Sequence, residues 1–150
     1  MIAVLQRVSR ASVDVDGQSV GSCGMGLCVL LGVARGDSTE DADALARKIL
    51  NLRIFEDENG KMNRSIVDVG GSMLVVSNFT LLAAYKKGNR PDYMGAAAPN
   101  EANELYEYFA DCCKCFLPVE KGIFGADMKL HIDNDGPVTI VMDSKVLLGK

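Results

Sequence analysis

Two short polar segments hold the residue types through which this chain could do chemistry. In Ser77-Asn78-Phe79-Thr80-Leu81, the apolar run Met73 to Val76 ends in small polar residues. Polar groups at a strand end can aim hydroxyls and backbone N–H groups into a cleft. The same residue types also satisfy local backbone groups in ordinary turns. The second segment, Asn134-Asp135-Gly136-Pro137-Val138-Thr139, reads by itself as a tight turn between two strands.

The usual engines of catalysis are nearly absent. His131 is the sole histidine and sits beside Asp133 on the polar face of an alternating segment, where a solvent-facing strand residue is the plainer reading. A two-histidine zinc site is excluded. A Ser-His-Asp triad would have to use His131, and no G-x-S-x-G elbow is present. There is no P-loop and no G-x-G-x-x-G at a strand-to-helix junction. Thr80 has the residue type of a nucleophile, but no base is visible to activate it. Catalysis here would rest on positioning and on backbone donors.

Five cysteines, Cys23, Cys28, Cys112, Cys113 and Cys115, make an odd number that does not suggest a disulfide framework. Zinc takes four ligands, usually Cys and His at paired spacings. The C-C-x-C cluster falls in a helical pattern and the only His is elsewhere in the sequence, so reduced thiols are expected, with no metal and no cofactor. A thiol-based redox protein using Cys112, Cys113 and Cys115 is one rival reading. An RNA-end or nucleotide-binding module that turns nothing over is another.

The elements that must position these residues belong to a chain of 150 residues, expected to form a single domain over residues 1–150. At that length folding buries roughly 70% of the unfolded chain's surface, enough for a sizeable core. No run of about 18 apolar residues is present, so no membrane span is expected. Met1 to Arg10 alternates and carries Arg7 and Arg10, unlike a signal peptide, and a cytoplasmic location is the default expectation. The formal charge is −4 and the pI about 5.0. That balance argues against a protein coating long nucleic acid, so no DNA partner is expected. It leaves room for a pocket that grips only the tip of an RNA.

Residues 2 to 15 read as a long strand with Ile2, Val4 and Val8 on one face and Ala3, Leu5, Ala11, Val13 and Val15 on the other. Arg7 shares the second face, so its guanidinium would be partly buried and need fixed acceptors, unless it snorkels to water. Asp16-Gly17 is a hairpin signal, followed by a short strand at 18–23. Gly24 to Gly26 breaks it, and Leu27 to Val33 reads as a buried strand. Ser38 opens a helix with Asp41 in a capping-box position, and Ala42, Leu45, Ala46, Ile49 and Leu50 form its apolar stripe. Arg53 to Glu56 and Met73 to Ser77 read as strands. Pro99 and Asn100 precede a second helix whose stripe runs Ala102, Leu105, Tyr106, Phe109, Cys113 and Phe116. Met128, Leu130 and Ile132 alternate with Lys129, His131 and Asp133 as a half-buried strand. Asn134 to Pro137 would turn the chain, and Val138 to Met142 would return as another strand. Strands dominate and hairpin signals favour antiparallel pairing, which makes the fold class α+β.

S-N-F-T-L and N-D-G-P-V-T together resemble the S-Q-x-x-T and N-x-G-P-x-T motifs of the D-aminoacyl-tRNA deacylase family. The likeness extends over nearly the whole chain. Ala3 to Val8 with Ala11-Ser12-Val13 is similar to the family's opening strand, and Lys48 to Phe55 to its helix-to-strand passage. Lys87-Gly88-Asn89-Arg90-Pro91 looks like its active-site loop, and Phe124-Gly125-Ala126 with Met128 like the segment before its last hairpin. Where the motif has Gln, this chain has Asn78, one methylene shorter. Ser77 and Phe79 place the chain nearer the strict D-specific branch than a related animal branch in which both positions are replaced.

The resemblance implies a predominantly antiparallel or mixed, barrel-like sheet in β/β/α layers with two main helices. It also implies a homodimer with each active site at the subunit interface. Gly136-Pro137 would be a cis bond whose carbonyl groups line the partner's pocket and reject L-amino acids by collision, while glycyl-tRNA leaks through. Arg7 would hold that element. Ser77, Asn78, Phe79 and Thr80 would form the opposite wall, with backbone N–H groups near Phe79 and Thr80 as the oxyanion hole. Phe124, Gly125 and Met128 would flank the terminal adenosine, whose 2′-hydroxyl assists hydrolysis. Lys86, Lys87 and Arg90 would meet acceptor-stem phosphates. The implied substrate is the 3′ end of D-aminoacyl-tRNA.

Overall fold

The first strand, β1 (Ile2–Val15), organises the sheet. Asp16 and Gly17 both adopt left-handed backbone and turn it directly into β2 (Gln18–Cys23), as Asp-Gly between alternating runs predicts. After a break at Gly24-Met25, β3 (Gly26–Gly32) continues along the same edge of β1. β2 thus pairs with Ala11 to Val15 and β3 with Ile2 to Val8. Helix α1 (Thr39–Asn51) follows, then a small hairpin of β4 (Phe55–Glu56) and β5 (Met62–Arg64), and then β6 (Ser72–Ser77). A 3₁₀ turn (Phe79–Leu82) and a long loop lead to α2 (Pro99–Lys114), β7 (Val119–Lys121), β8 (Lys129–Asp143) and α3 (Ser144–Leu148). The computed structural model describes residues 1–150. No helix is long and apolar enough to cross a membrane.

β8 runs antiparallel along the free edge of β1, while β3–β6 and β6–β7 pair in parallel. The far edge curls back towards β2. The Glu120 carboxylate accepts the Ser22 N–H at 3.1 Å, and the Lys121 carbonyl packs on Gly21. The result is a nearly closed, barrel-like mixed sheet with α1 and α2 outside, an α+β fold as expected. One core lies between sheet and helices, with Leu5, Leu27, Val29, Leu31, Met73 and Val75 against Leu45, Ile49, Tyr106 and Phe109. The second lies inside the curl, with Val8, Ala11, Val13, Cys28, Leu74 and Val76. Tyr106 ties α2 to the sheet by donating its hydroxyl to the Val75 carbonyl at 2.9 Å.

Three expectations need correction. Ala3 and Leu5 do not share a face with Ala11 and Val13. The former pair enters the helix-covered core, and the latter joins Val8 in the inner one. Two register shifts against β8, between Gln6 and Arg10, reverse the side-chain phase of β1. Asn134 to Pro137 does not turn the chain back either. Asn134 pairs with Val8 and Thr139 with Gln6, so β8 continues in one direction and Asp135 to Val138 stand out as an excursion. Phe116 leaves the α2 stripe because the helix stops at Lys114, and it is exposed.

A buried polar network locks α1 to α3 and to the start of β1. The Met1 ammonium donates to Ser144 Oγ at 2.6 Å and pairs with Asp37 at 2.8 Å. Ser144 Oγ donates to Asp41 Oδ1 at 2.7 Å, and Asp41 Oδ2 accepts the Ser38 N–H at 2.8 Å. Burial opposes the charged form of Asp41. The Ser144 hydroxyl, the Ser38 N–H and the Met1 ammonium outweigh it, so the carboxyl titrates below its ordinary value. Its contribution to stability is therefore full above the unfolded-state value and lost as pH falls through the folded one. Asp41→Asn is expected to cost about 1–3 kcal/mol near neutrality. That deficit should shrink on acidification. Urea unfolding of both proteins at about pH 7 and about pH 3 checks the sign.

Candidate active site

β6 delivers the first wall of the site. It is buried between β3 and β7 and ends at Ser77, opposite Leu31. The Asn78 N–H donates to the Leu31 carbonyl at 2.9 Å, after which the chain enters the 3₁₀ turn. Such a turn leaves its leading N–H groups without internal acceptors. Those of Phe79 and Thr80 accordingly have no partner in the chain. Thr80 Oγ1 donates to Asn78 Oδ1 at 2.5 Å, so the shorter amide still reaches an intramolecular partner. That bond directs the hydroxyl proton to an amide oxygen, which is no base. Thr80 therefore lacks the activation a nucleophile needs.

Ser77, Asn78, Phe79 and Thr80 line a cleft of about 830 Å³, within the size range of ligand pockets. Phe124, Gly125 and Met128 line the same cleft, from the segment that leads into β8. Two stretches far apart in sequence, each singled out as polar strand end or nucleoside flank, are thus brought together. Phe124 leans on Tyr106 with ring centroids 6.0 Å apart, and Met128 packs on the inner core, so both anchor the wall as well as face the cleft. Thirteen of the twenty lining residues are hydrophobic, which suits a largely apolar ligand more than a highly charged one.

Residues that the sequence pattern did not flag also line the cleft: Arg35, Tyr93, Asp127 and the stretch Ala96 to Pro99. Tyr93 meets Phe79 edge to face at 5.1 Å. Arg35 and Ala96 to Ala98 arrive through the bridge Ala34–Ala96 between two loops. No local signal announces a bridge of that kind. The Arg90-Pro91 segment just before Tyr93 was the nearest hint.

Arg7, Gly136 and Pro137 do not line the cleft of their own chain. They form a second constellation in the β8 excursion. Arg7 is buried on the Leu5 face of β1, where its Nε donates to the Asp135 carbonyl at 2.9 Å and its Nη1 to the Ile54 carbonyl at 2.8 Å. It does not snorkel. Asn134 closes the excursion by accepting the Val138 N–H at 2.8 Å and donating to Thr139 Oγ1 at 3.0 Å. The Gly136–Pro137 peptide bond is cis. Gly136 has φ 141°, and a Cβ there would stand 2.8 Å from the Val138 nitrogen. Only glycine fits that backbone.

Lys86, Lys87 and Arg90 occupy an exposed loop pinched by paired backbone bonds between Ala84 and Asp92, and none lines the cleft. His131 is outside the cleft too. Its Nε2 lies 3.0 Å from Asp14 Oδ2 on the sheet surface, while Asp133 pairs with Arg10 at 2.6 Å. All five cysteines are free. Burial pushes the Cys28 and Cys113 thiols up to about 12 and also raises Cys112, which disfavours the reactive thiolate.

A family model described as D-Tyr-tRNA(Tyr) deacylase matches residues 4–143. A D-aminoacyl-tRNA deacylase of Persephonella marina (strain DSM 14350 / EX-H1) is 54% identical over 147 residues, covering 98% of this chain and 100% of that relative. A D-aminoacyl-tRNA deacylase of Sulfurihydrogenibium sp. (strain YO3AOP1) is 53% identical, with the same coverage. Among solved structures, a c-Myc DNA Unwinding Element Binding Protein matches with a TM-score of 0.90 at 45% identity, covering 95% of this chain and 98% of that one. A structure described as that of a probable eukaryotic D-amino acid tRNA deacylase matches with a TM-score of 0.79 at 19% identity and equal coverage, a likeness of fold alone.

Proposed function

The chain belongs to the D-Tyr-tRNA(Tyr) deacylase family, and from that premise we propose that it hydrolyses the ester linking a D-amino acid to the 3′ end of tRNA. The observation that carries this reading is the single cleft joining Ser77 to Thr80 with Phe124, Gly125 and Met128. It offers two unpaired N–H groups beside a surface suited to a nucleoside, and no histidine.

That inventory favours a reaction run by binding and backbone electrostatics. The adenine lies against Phe124, Gly125 and Met128, an apolar and aromatic surface on which a base can stack. The ester carbonyl points at the Phe79 and Thr80 N–H groups. Water adds to the carbonyl carbon, and the developing oxyanion is held by those two donors. The bond to the ribose 3′-oxygen then breaks, releasing free D-amino acid and tRNA. The substrate's own 2′-hydroxyl assists the proton movements, since Thr80 is bonded to an amide oxygen and not to a base. Ser77 and Asn78 hold the donor turn in place, the latter through its bond to Thr80.

Selectivity in this reading comes from a second copy of the chain. Arg7 and the Gly136-Pro137 excursion stand away from their own cleft, and in a homodimer they close the cleft of a partner subunit. An L-amino acid collides with that wall, a D-amino acid turns its side chain away, and glycyl-tRNA has nothing to collide. Residues 1–150 act as one domain in this scheme. Lys86, Lys87 and Arg90 meet acceptor-stem phosphates, and the setting is cytoplasmic, with neither membrane nor DNA as partner.

Incubating the purified protein with D-tyrosyl-tRNA and, separately, L-tyrosyl-tRNA, without added metal, tests the reading. Rapid loss of the D form alone is the expected result. Retained tRNA binding with loss of neither form points instead to a nucleic-acid-binding role. Sedimentation at micromolar concentration tests the shared site, which a monomer would contradict.

A further inference from the structure

The cleft contains a cation that the reaction just described does not use. Arg35 is the only basic residue among its twenty lining residues, and Asp127 the only acidic one. The two form no ion pair, and Arg35 has no other acidic partner within 4 Å.

Its loop is fixed on several sides. The Arg35 N–H donates to the Gly95 carbonyl at 2.9 Å. The flanking Ala34 N–H donates to Asp37 Oδ2 at 2.6 Å, and Asp37 is itself held by the buried Met1 ammonium. The side chain is exposed, and its guanidinium touches the loop through Nε, which donates a long bond to the Ala96 carbonyl at 3.4 Å, while neither Nη has a partner. An arginine held by Nε with both Nη groups free presents a fork suited to two oxygens of one anion.

The chemistry of an aminoacylated 3′ end limits what that anion can be. The amino acid's carboxyl is esterified, its α-amino group is cationic, and adenosine is neutral. For every amino acid whose side chain is not itself acidic, the nearest negative charge is the phosphodiester on the 5′ side of the terminal adenosine. We infer that Arg35 forms a phosphate subsite at the cleft, which grips that phosphodiester and sets the depth to which the terminal nucleotide enters. This rests on the deacylase reading above. It differs from the contacts assigned to Lys86, Lys87 and Arg90, which lie outside the cleft and meet the stem.

Two minimal substrates isolate the subsite: 3′-O-D-tyrosyl-adenosine, and the same compound carrying a 5′-phosphate. In the wild-type protein the phosphate should lower KM on the order of tenfold, as one charged hydrogen-bonded contact does. Arg35→Ala should erase that ratio, and Arg35→Lys should restore part of it. With D-tyrosyl-tRNA, the log–log salt dependence of kcat/KM should flatten by about 0.7 in Arg35→Ala, the loss of one single-strand phosphate contact. A wild-type protein indifferent to the 5′-phosphate overturns the inference. So does an Arg35→Ala protein that keeps the full phosphate ratio, whatever its stability. If the wild-type protein hydrolyses neither compound and not D-tyrosyl-tRNA, the deacylase reading itself fails and the subsite falls with it.

Discussion

Phe79→Pro is expected to lower kcat on D-tyrosyl-tRNA by about 10²–10³-fold, the usual cost of one lost oxyanion donor. Proline removes the Phe79 N–H, one of the two without a partner in the chain. The backbone should otherwise accept it. The first position of a helical turn tolerates proline, and the preceding Asn78 is already extended at φ −146°, ψ 91°, as a residue before proline must be. The substitution also deletes an aromatic ring that meets Tyr93, so Phe79→Ala is the matched control. Phe79→Ala keeps the N–H and should lose far less in kcat, with any loss in KM shared by both variants. Single-turnover kinetics on the two proteins separate donor from ring. Equal losses in kcat would show that the ring, and not the N–H, matters to the chemical step.

Gly136→Ala is expected to cost about 10²-fold in D-aminoacyl-tRNA hydrolysis, the scale of a displacement of roughly 1 Å in a positioning group. The ratio of D to L hydrolysis should fall at the same time. The cause is steric. At φ 141° a side chain is strained, and the added Cβ would press on the Val138 nitrogen at 2.8 Å and approach Arg7 Nη2 at 3.3 Å. The excursion must shift, and with it the Asp135 carbonyl that Arg7 holds. His131→Ala is the comparison, because His131 is exposed and lies outside the cleft. It should stay near the wild-type rate for both stereoisomers. A variant at 136 that keeps full selectivity would remove the Gly136-Pro137 wall from the mechanism.

Much of this arrangement was legible in the sequence where one local cause decides it. Asp16-Gly17 made the expected turn because few other residues tolerate two successive left-handed positions. Ser38 and Asp41 opened α1, and its stripe from Ala42 to Leu50 is the buried face. Met73 to Ser77 is a buried strand, and its polar end meets the Phe124 to Met128 segment in one cleft. Features set by a distant partner were not legible. Asn134-Asp135-Gly136-Pro137 has the composition of a turn, and the same composition serves an excursion when β1 pairs on both sides of it. The phase reversal in β1 likewise depends on β8, and nothing in Val8-Ser9-Arg10-Ala11 announces it. Phe116 continues the helical spacing, but Lys114 is the last helical residue. β7 and α3 are too short for a period to show. Arg35 and Tyr93 reach the cleft only by contacts between loops, so their place in it had no local signature.

The pairing of the first strand with the last has a consequence for how the protein comes into being. β1 emerges from the ribosome before every other strand of the sheet, yet one of its edges stays open until β8 is made. Contacts so distant along the chain form slowly, and an unpaired edge is a site for mispairing in the meantime. The Gly136-Pro137 excursion is carried by that same last strand and is gripped by Arg7 of the first. Completion of the sheet and arrival of the excursion are therefore one event. A chain stalled before β8 has neither a finished sheet nor the Gly136-Pro137 excursion on which the proposed selectivity rests.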